Sequence, residues 1–520
     1  MQPNKTMNQF ENSHNSPPFS SKVAGKMLIS RLADNPDYLG LQLPMQLIPT
    51  HLETVKNILA ALTDYRPTHE EPAVSTFVVD SRQAIAGSVF IVFHGKHVDG
   101  HEFVADAFGR GAMAALVERP IPGQAWATID TRTSQVTRPE RLPVVIVVDN
   151  TLRALQQIAA HWRVQFDVRV IGITGSVGKT STKELTAAVL SQRYRTLKSE
   201  GNKNNEIGVP LTLLNMRAYH ERAVIEMGMY AQGEIDLLCD LARPVVGVVT
   251  MIGPAHLERL GSIEAIIAAK QELVMALPED GTAILNMDDQ RVMGMAAHTR
   301  AHIFTYGLNN DADLWADEIE SMGLDGVHFT LHHRGETLNV RVPLLGRHSV
   351  HTALRAAAVG LVEGLDWDDI ITGLGAMTSQ LRLVVIPGPR GSLLIDDTYN
   401  SNPDSALAAL NLLADLDGRR IAVLGDMLEL GDAERQAHQM IGRRVAGVAD
   451  TLITVGSRAR TIARQAVSSG MAADQAHAVD DAPDAVPLLE EIVQPGDVIL
   501  IKGSLGMKMD RIVTALGRLD

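Results

Sequence analysis

The sequence predicts an α/β fold in three domains, and three observations carry that reading. A chain of 520 residues exceeds what one core sustains, since single cores rarely grow past ~250–300 residues. Near the middle, an apolar run at 168–173 passes into a loop with Gly172, Gly175 and Gly178 and then into helix-forming sequence. That is the strand–turn–helix of a mononucleotide-binding sheet. The last third alternates short apolar runs with helical segments, as a Rossmann-like, doubly wound parallel sheet does.

Composition narrows the class. Hydrophobic residues make up 45% and charged residues 21%, the balance of a soluble globular enzyme. A net charge of −14 argues against nucleic acid or an anionic membrane as the main partner, so any nucleotide site must rely on local positive groups. The single cysteine, Cys239, excludes an intramolecular disulfide and any multi-cysteine metal site. No apolar run reaches the ~18 residues a membrane span needs. The first residues are polar, include Pro17-Pro18 and lack the apolar segment of a signal peptide. Residues 1–44 are therefore expected to be a disordered tail or extension, and the chain to be a cytoplasmic monomer.

Residues 45–150 form the first expected unit, with strands at 76–79, 89–93, 113–117 and 143–148 and a helix from about Gly100 to Gly111. Asp80-Ser81-Arg82 and the run from Gly95 through Asp99 and Gly100 to His101 interrupt the apolar pattern at strand ends. Such loops carry ligands, and simple turn chemistry explains them equally well.

The second expected unit, 151–379, opens with a helix at 151–163 whose apolar positions are 152, 155, 158, 159 and 162. It leads into the glycine loop. Glycine lets phosphate approach the backbone, N–H groups and the helix dipole supply positive charge, Lys179 reaches the β/γ-phosphates and the Thr180 hydroxyl suits Mg²⁺. The spacing is Gly-x-x-Gly-x-x-Gly-Lys-Thr, with Ile173 where the strict pattern has glycine. Further strands at 223–225, 245–252 and 283–285 end in Glu226, in the run to His256, and in Asn286. A carboxylate and a histidine at strand ends suit a metal, while a chance acidic residue and a structural histidine are the plainer readings.

Lys270 lies in an expected helix at 262–277, and its i±3 and i±4 neighbours are Ile266, Ile267, Leu273 and Val274. A surface lysine has polar neighbours there. Burial lowers a lysine pKa, and a neutral amine can take up carbon dioxide as a carbamate, an anionic metal ligand. A snorkelling lysine fits the same spacing. Asn202, Asn204 and Asn205 crowd one glycine-bounded loop, suited either to ligand contacts or to loop capping.

The third expected unit, 380–520, has strands at 393–395, 421–424, 452–455 and 498–502, with helices starting near Pro403, Ala433, Arg458 and Asp484. Its densest polar cluster runs from Asp396 and Asp397 through Tyr399, Asn400 and Asn402 to Pro403, more polar groups than a turn requires.

Taken in order, these stretches resemble the Mur ligase family, the ATP-dependent amide-forming enzymes of peptidoglycan precursor synthesis. The resemblance runs through Thr174-Gly-Ser-Val-Gly-Lys-Thr180, Gly201-Asn-x-Asn-Asn-x-Ile-Gly-x-Pro210, Glu226-Met-Gly228, Ala255-His-Leu257, Ala269-Lys270, Asn286-x-Asp-Asp289 and Gly346-Arg-His348. The 399–403 cluster, with Leu424-Gly-Asp-Met427 and Lys502-Gly-Ser504, is most similar to the member that adds the last unit in the cytoplasm. The resemblance implies that UDP-N-acetylmuramoyl-tripeptide and D-alanyl-D-alanine are joined through an acyl phosphate, with ATP and Mg²⁺. It implies a UDP-binding first unit, with Ser81, Asp99 and His101 as contacts. Thr174, Gly175, Ser176, Val177, Gly178, Lys179, Thr180 and Ser181 would hold ATP, with Asn286, Arg382 and Asp397 near the adenosine. Thr180, Glu226, His256 and a carbamylated Lys270 would hold metal, and Lys179, His256 and Lys270 would serve catalysis. Asn202, Asn204, Asn205, Tyr399, Asn400 and Asn402 would meet substrate. The family's asparagines after Gly-x-His are replaced by Ser349 and Thr352, so no adenine contact is expected from that helix.

Overall fold

The computed structural model describes residues 54–64, 73–95, 98–122, 126–133, 141–376 and 384–517. The expected N-terminal tail and Arg382 lie outside the described residues.

Twenty strands build three sheets. The first contains β1 (Phe77–Val78), β2 (Val89–Ile91), β3 (Ala114–Val117), β4 (Ala127–Asp130) and β5 (Val144–Val147), all parallel in the order β1-β2-β3-β5-β4. β2, β3 and β5 are buried along their whole length, which is why they read as continuous apolar runs. β4 was not expected, because its edge position leaves it half exposed and its sequence mixed. The expected helix at 100–111 starts as a 3₁₀ turn, Gly100–Phe103, before the α-helix Val104–Gly109.

The helix Thr151–Arg163 joins this sheet to the next. Its buried face includes Leu155, Ile158, Ala159 and Trp162. Trp162 Nε1 donates to Met216 O at 3.1 Å, and the Arg163 guanidinium to the carbonyls of Ala242, Phe166 and Val168. One apolar core runs through from the first sheet to the second.

The second sheet holds β6 (Arg169–Thr174), β7 (Thr196–Lys198), β8 (Arg222–Glu226), β9 (Val246–Val249), β10 (Thr282–Asn286), β11 (His302–Gly307), β12 (Leu314–Ser321), β13 (Val327–His333) and β14 (Glu336–Val342). Their order is β14-β13-β12-β11-β10-β9-β6-β8-β7. From β6 the chain first fills one side with β7 and β8, then crosses to β9 and β10 on the other. Ligands bind beyond the carboxyl ends at such a switch point. The antiparallel β12–β14 extension was not expected. Its strands bury alternate residues, such as Leu314 and Ala316 or Val340 and Val342, instead of forming apolar runs.

The third sheet comprises β15 (Val384–Pro387), β16 (Leu393–Asp397), β17 (Arg420–Gly425), β18 (Thr451–Val455), β19 (Ala476–Val479) and β20 (Val498–Lys502), ordered β15-β16-β20-β17-β18-β19. It is parallel except for the edge strand β15. The four expected strands are present, and helices begin at Pro403, Glu434, Arg460 and Ala482. Only the edge strands β15 and β19 escape the sequence pattern. Among the described residues no helix is long and apolar enough to cross a membrane.

Candidate active site

The glycine loop leaves the carboxyl end of β6 at the switch point. Gly175 has φ +144° and Gly178 +85°, and a Cβ on Gly175 would stand 1.8 Å from Thr250 Oγ1. Only glycine fits there. The end of β9 braces the loop: Ser176 N donates to Met251 O at 2.8 Å, and Thr250 Oγ1 to Val177 O at 2.6 Å. Thr174 Oγ1 is spent on Met227 O. The helix Lys179–Leu190 then begins, with no acidic residue in its first turn, so its positive end is left for an anion. Lys179 Nζ donates back to Gly175 O at 2.8 Å.

Glu226 ends β8 beside this helix and is 1% exposed. Its Oε1 accepts from Asn204 Nδ2 at 2.8 Å and Thr180 Oγ1 at 3.2 Å. Its Oε2 is buried with no hydrogen-bond partner, although the buried Lys183 ammonium lies 3.6 Å away. Asn202 and Asn204 line the cleft. Asn205 does not, since its Oδ1 accepts from the N–H groups of Ile207 and Gly208. The capping alternative holds for that residue.

His256 sits at φ +61°, and its Nδ1 lies 2.6 Å from Glu429 Oε2. Glu429 is also left-handed, at φ +63°. Burial pushes the His256 pKa down, the Glu429 carboxylate opposes that, and Lys179 and Lys270 add to it. Lys270 is 2% exposed in the helix Ile263–Met275. Burial, with the Lys179 charge, holds its pKa well below the ordinary lysine value. The snorkelling reading fails, because its head does not reach water. Lys270 does not itself line the cleft.

A cavity of about 1080 Å³ lies between the second and third sheets. The loop at 176–179, Glu226, His256 and Asn286 line it from the carboxyl ends of the second sheet, and Asp397, Tyr399, Asn400, Asn402 and Lys502 from those of the third. Lys502 Nζ donates to Asp397 Oδ2 at 2.6 Å and to Asn400 O at 2.8 Å, which fixes the 397–402 turn. Asn402 Oδ1 caps the helix Pro403–Ala414 through Ser405 N. Asn286 Oδ1 accepts from Asp288 N. Ser349 and Thr352 line the same cavity, but the Ser349 hydroxyl donates to Leu345 O and the Thr352 hydroxyl accepts from Arg355.

Ser81, Asp99 and His101 stand apart, on the first sheet. Ser81 Oγ donates to Asp106 at 2.8 Å. His101 Nδ1 lies 2.6 Å from Asp99 Oδ1, its Nε2 accepts from Glu118 N, and Arg119 donates to Asp99 Oδ2. Both ring nitrogens are thus engaged. The Arg119 hydrogen bond, ahead of those from His101, holds the Asp99 carboxyl well below the usual range. His94 joins them as a possible metal-holding trio, but a metal would have to displace those bonds.

Several cavity residues carry no expected role: Arg355, His351, Glu429 and Asp404. His351 Nε2 lies 2.9 Å from Asp288 Oδ2. The Asp404 carboxylate approaches Gly253 so closely that a Cβ there would meet it at 2.4 Å. Arg355 alone had a readable signal, a cation whose i+3 and i+4 neighbours are Ala358 and Val359.

Three family models match the chain: Mur ligase family, catalytic domain, over residues 74–163; Mur ligase middle domain over 173–360; and Mur ligase, glutamate ligase domain, over 381–505. The UDP-N-acetylmuramoyl-tripeptide–D-alanyl-D-alanine ligase of Bacillus subtilis is 38% identical over 469 residues, 89% of this chain and 98% of the relative. A crystal structure of MurF from Acinetobacter baumannii superposes with a TM-score of 0.77 at 32% identity, covering 90% of this chain and 100% of that one. MurF ligase from Thermotoga maritima in complex with ADP gives 0.71 at 26% identity, covering 85% and 97%.

Proposed function

The chain belongs to the Mur ligase family, and from that premise we propose that it joins D-alanyl-D-alanine to UDP-N-acetylmuramoyl-tripeptide using ATP. One observation carries the reading. The carboxyl ends of two parallel sheets, one bearing the lysine of a glycine loop, face each other across a single cavity. A nucleotide and an amine acceptor can meet there.

The residues fit the groups the reaction needs. Gly175 and Gly178 make the cradle a phosphate enters. Glu226 Oε2, buried without a hydrogen-bond partner beside the Thr180 hydroxyl, is the hard oxygen donor Mg²⁺ prefers. His256 is oriented by a carboxylate on its other ring nitrogen, as metal-ligating histidines are. Lys270, buried with a depressed pKa, fits carbamylation. Mg²⁺ would supply charge neutralisation on the phosphates.

In this reading the tripeptide's terminal carboxylate oxygen attacks the γ-phosphorus and ADP departs, leaving an acyl phosphate. The dipeptide's α-amine attacks the acyl carbon, and phosphate leaves with the former carboxylate oxygen. Lys179 neutralises charge on the phosphoryl group in transit. The Lys502–Asp397–Asn400 contacts hold the turn that receives the dipeptide. An α-amine of pKa ~7.7–8.0 is already partly neutral near pH 7, so no dedicated base is required. We assign the uridine nucleotide to residues 45–150, ATP to 151–379 and the dipeptide to 380–520, and place the reaction in the cytoplasm, where both nucleotides occur.

An acceptor screen tests this. Phosphate release from ATP should require both the UDP-linked tripeptide and D-alanyl-D-alanine. Release with a single diamino acid instead would move the chain to an earlier step of the same chemistry. Release with no peptide present would make it a nucleotide-hydrolysing switch.

A further inference from the structure

The helix Ser349–Val362 packs along Lys179–Leu190 and places Arg355 at the glycine loop. Arg355 is 5% exposed, yet it lines the cavity. Its Nε donates to Thr182 Oγ1 at 2.8 Å, its Nη1 to Tyr306 Oη at 3.3 Å and its Nη2 to Thr352 Oγ1 at 2.8 Å. All three partners are neutral hydroxyls, and among the described residues no carboxylate is in ion-pair reach of it. Arg163, nearly as buried, meets three backbone carbonyls and lines no cavity. Arg419 is paired with the Asp497 carboxylate. A buried guanidinium held only by hydroxyls keeps most of its charge uncompensated, and burying such a charge is costly unless an anion joins it.

The direction of that charge is set by the loop. A Cβ on Gly178 would lie 3.1 Å from Arg355 Nη2, so the guanidinium backs directly onto the last glycine. Its anchor, Thr182, is two residues beyond Thr180, about 200° around the helix. Thr180 faces Glu226, so Arg355 lies on the opposite flank from the carboxylate assigned to the metal. We propose that Arg355 is a nucleotide-affinity residue, its guanidinium neutralising a phosphate that stays on ADP instead of the phosphoryl group that is transferred. This deepens, and rests on, the ATP-dependent reading above.

The assignment predicts opposite signs for stability and binding. Replacing an uncompensated buried charge with an apolar side chain of similar length is often neutral or stabilising. The test is ADP titration calorimetry and thermal melting of the full chain with Arg355→Met and Arg355→Gln. Without nucleotide, the Met variant should melt within ~2 °C of wild type or above it. Its ADP affinity should fall at least ~10-fold, the loss of one charge-assisted contact, and its KM for ATP should rise by a similar factor while kcat moves far less. The Gln variant, which keeps donors for the hydroxyls but no charge, should lose affinity alike, and it decides alone if the Met variant does not fold. Variants that bind ADP as wild type does, or that only lose stability, overturn the assignment and make Arg355 a structural tie. Wild-type protein that fails to bind ADP would overturn the ligase reading itself, and this inference with it.

Discussion

Glu226→Gln separates the metal role of Glu226 from its structural one. The amide is isosteric, and its Oε1 can keep the hydrogen bonds from Asn204 and Thr180. What is lost is charge. At 3.6 Å and an effective dielectric of ~20, the attraction of Lys183 for Glu226 is about 5 kcal/mol before desolvation is counted. Lys183 retains Glu184 at 3.1 Å and the Gly201 carbonyl at 2.8 Å, so a net destabilisation of about 1–3 kcal/mol is expected. The larger effect should fall on the divalent ion. Removing one anionic oxygen from its shell should cost about 2 kcal/mol or more, a loss of ~30-fold in the strengthening of ADP binding by Mg²⁺. Calorimetry with and without Mg²⁺ reads this directly. Metal-free ADP affinity should stay within ~3-fold of wild type while the Mg²⁺ dependence collapses. A variant whose Mg²⁺ dependence matches wild type would refute the assignment of Oε2 as a metal donor.

Gly175→Ala should abolish nucleotide binding and lower the melting temperature, because its Cβ meets Thr250 Oγ1 at 1.8 Å and its φ is +144°; overpacking and strain together cost about 2–5 kcal/mol, and an unchanged ADP titration would contradict the cradle. His220 gives a pH test: burial, then Arg217 and Arg195, push its pKa from 6.5 to about 4. Its contribution to stability is therefore full above about pH 6.5 and lost as pH falls toward 4. Discounting for partial exposure, that loss is about 1–2 kcal/mol. His220→Asn, whose Oδ1 can still accept from Arg217 N, should flatten this part of the denaturation profile; an identical acid limb would remove His220 from the account. Native mass measurement in bicarbonate should find one added carbon dioxide on wild type and none on Lys270→Ala; an unmodified wild type with full activity would take Lys270 out of the site.

The glycine loop is legible in the sequence because sterics leave no choice of residue: at Gly175 the neighbouring Thr250 hydroxyl forbids any side chain. Lys270 is legible for a similar reason, its apolar i±3 and i±4 neighbours dictating burial. The same rule applied to the helix Ser349–Val362 flags Arg355, although the departures at Ser349 and Thr352 are the more conspicuous features there. Asparagines are less readable. Asn205 and Asn402 sit at loop–helix junctions where one residue type both caps helices and binds ligands, and only coordinates reveal that each commits an oxygen to a cap. Long-range partners are not readable at all. His256 gains its carboxylate from Glu429, 173 positions away. The edge strands and the β12–β14 extension escaped because half-exposed strands lack the continuous apolar runs that marked the central ones.

The central claim is that a carboxylate is activated by phosphoryl transfer inside this cleft. Oxygen-18 placed in the terminal carboxylate of the UDP-linked tripeptide tests it. One labelled oxygen should appear in each phosphate released during coupling to D-alanyl-D-alanine. Phosphate that carries only solvent oxygen, with the label retained in the peptide, would contradict it.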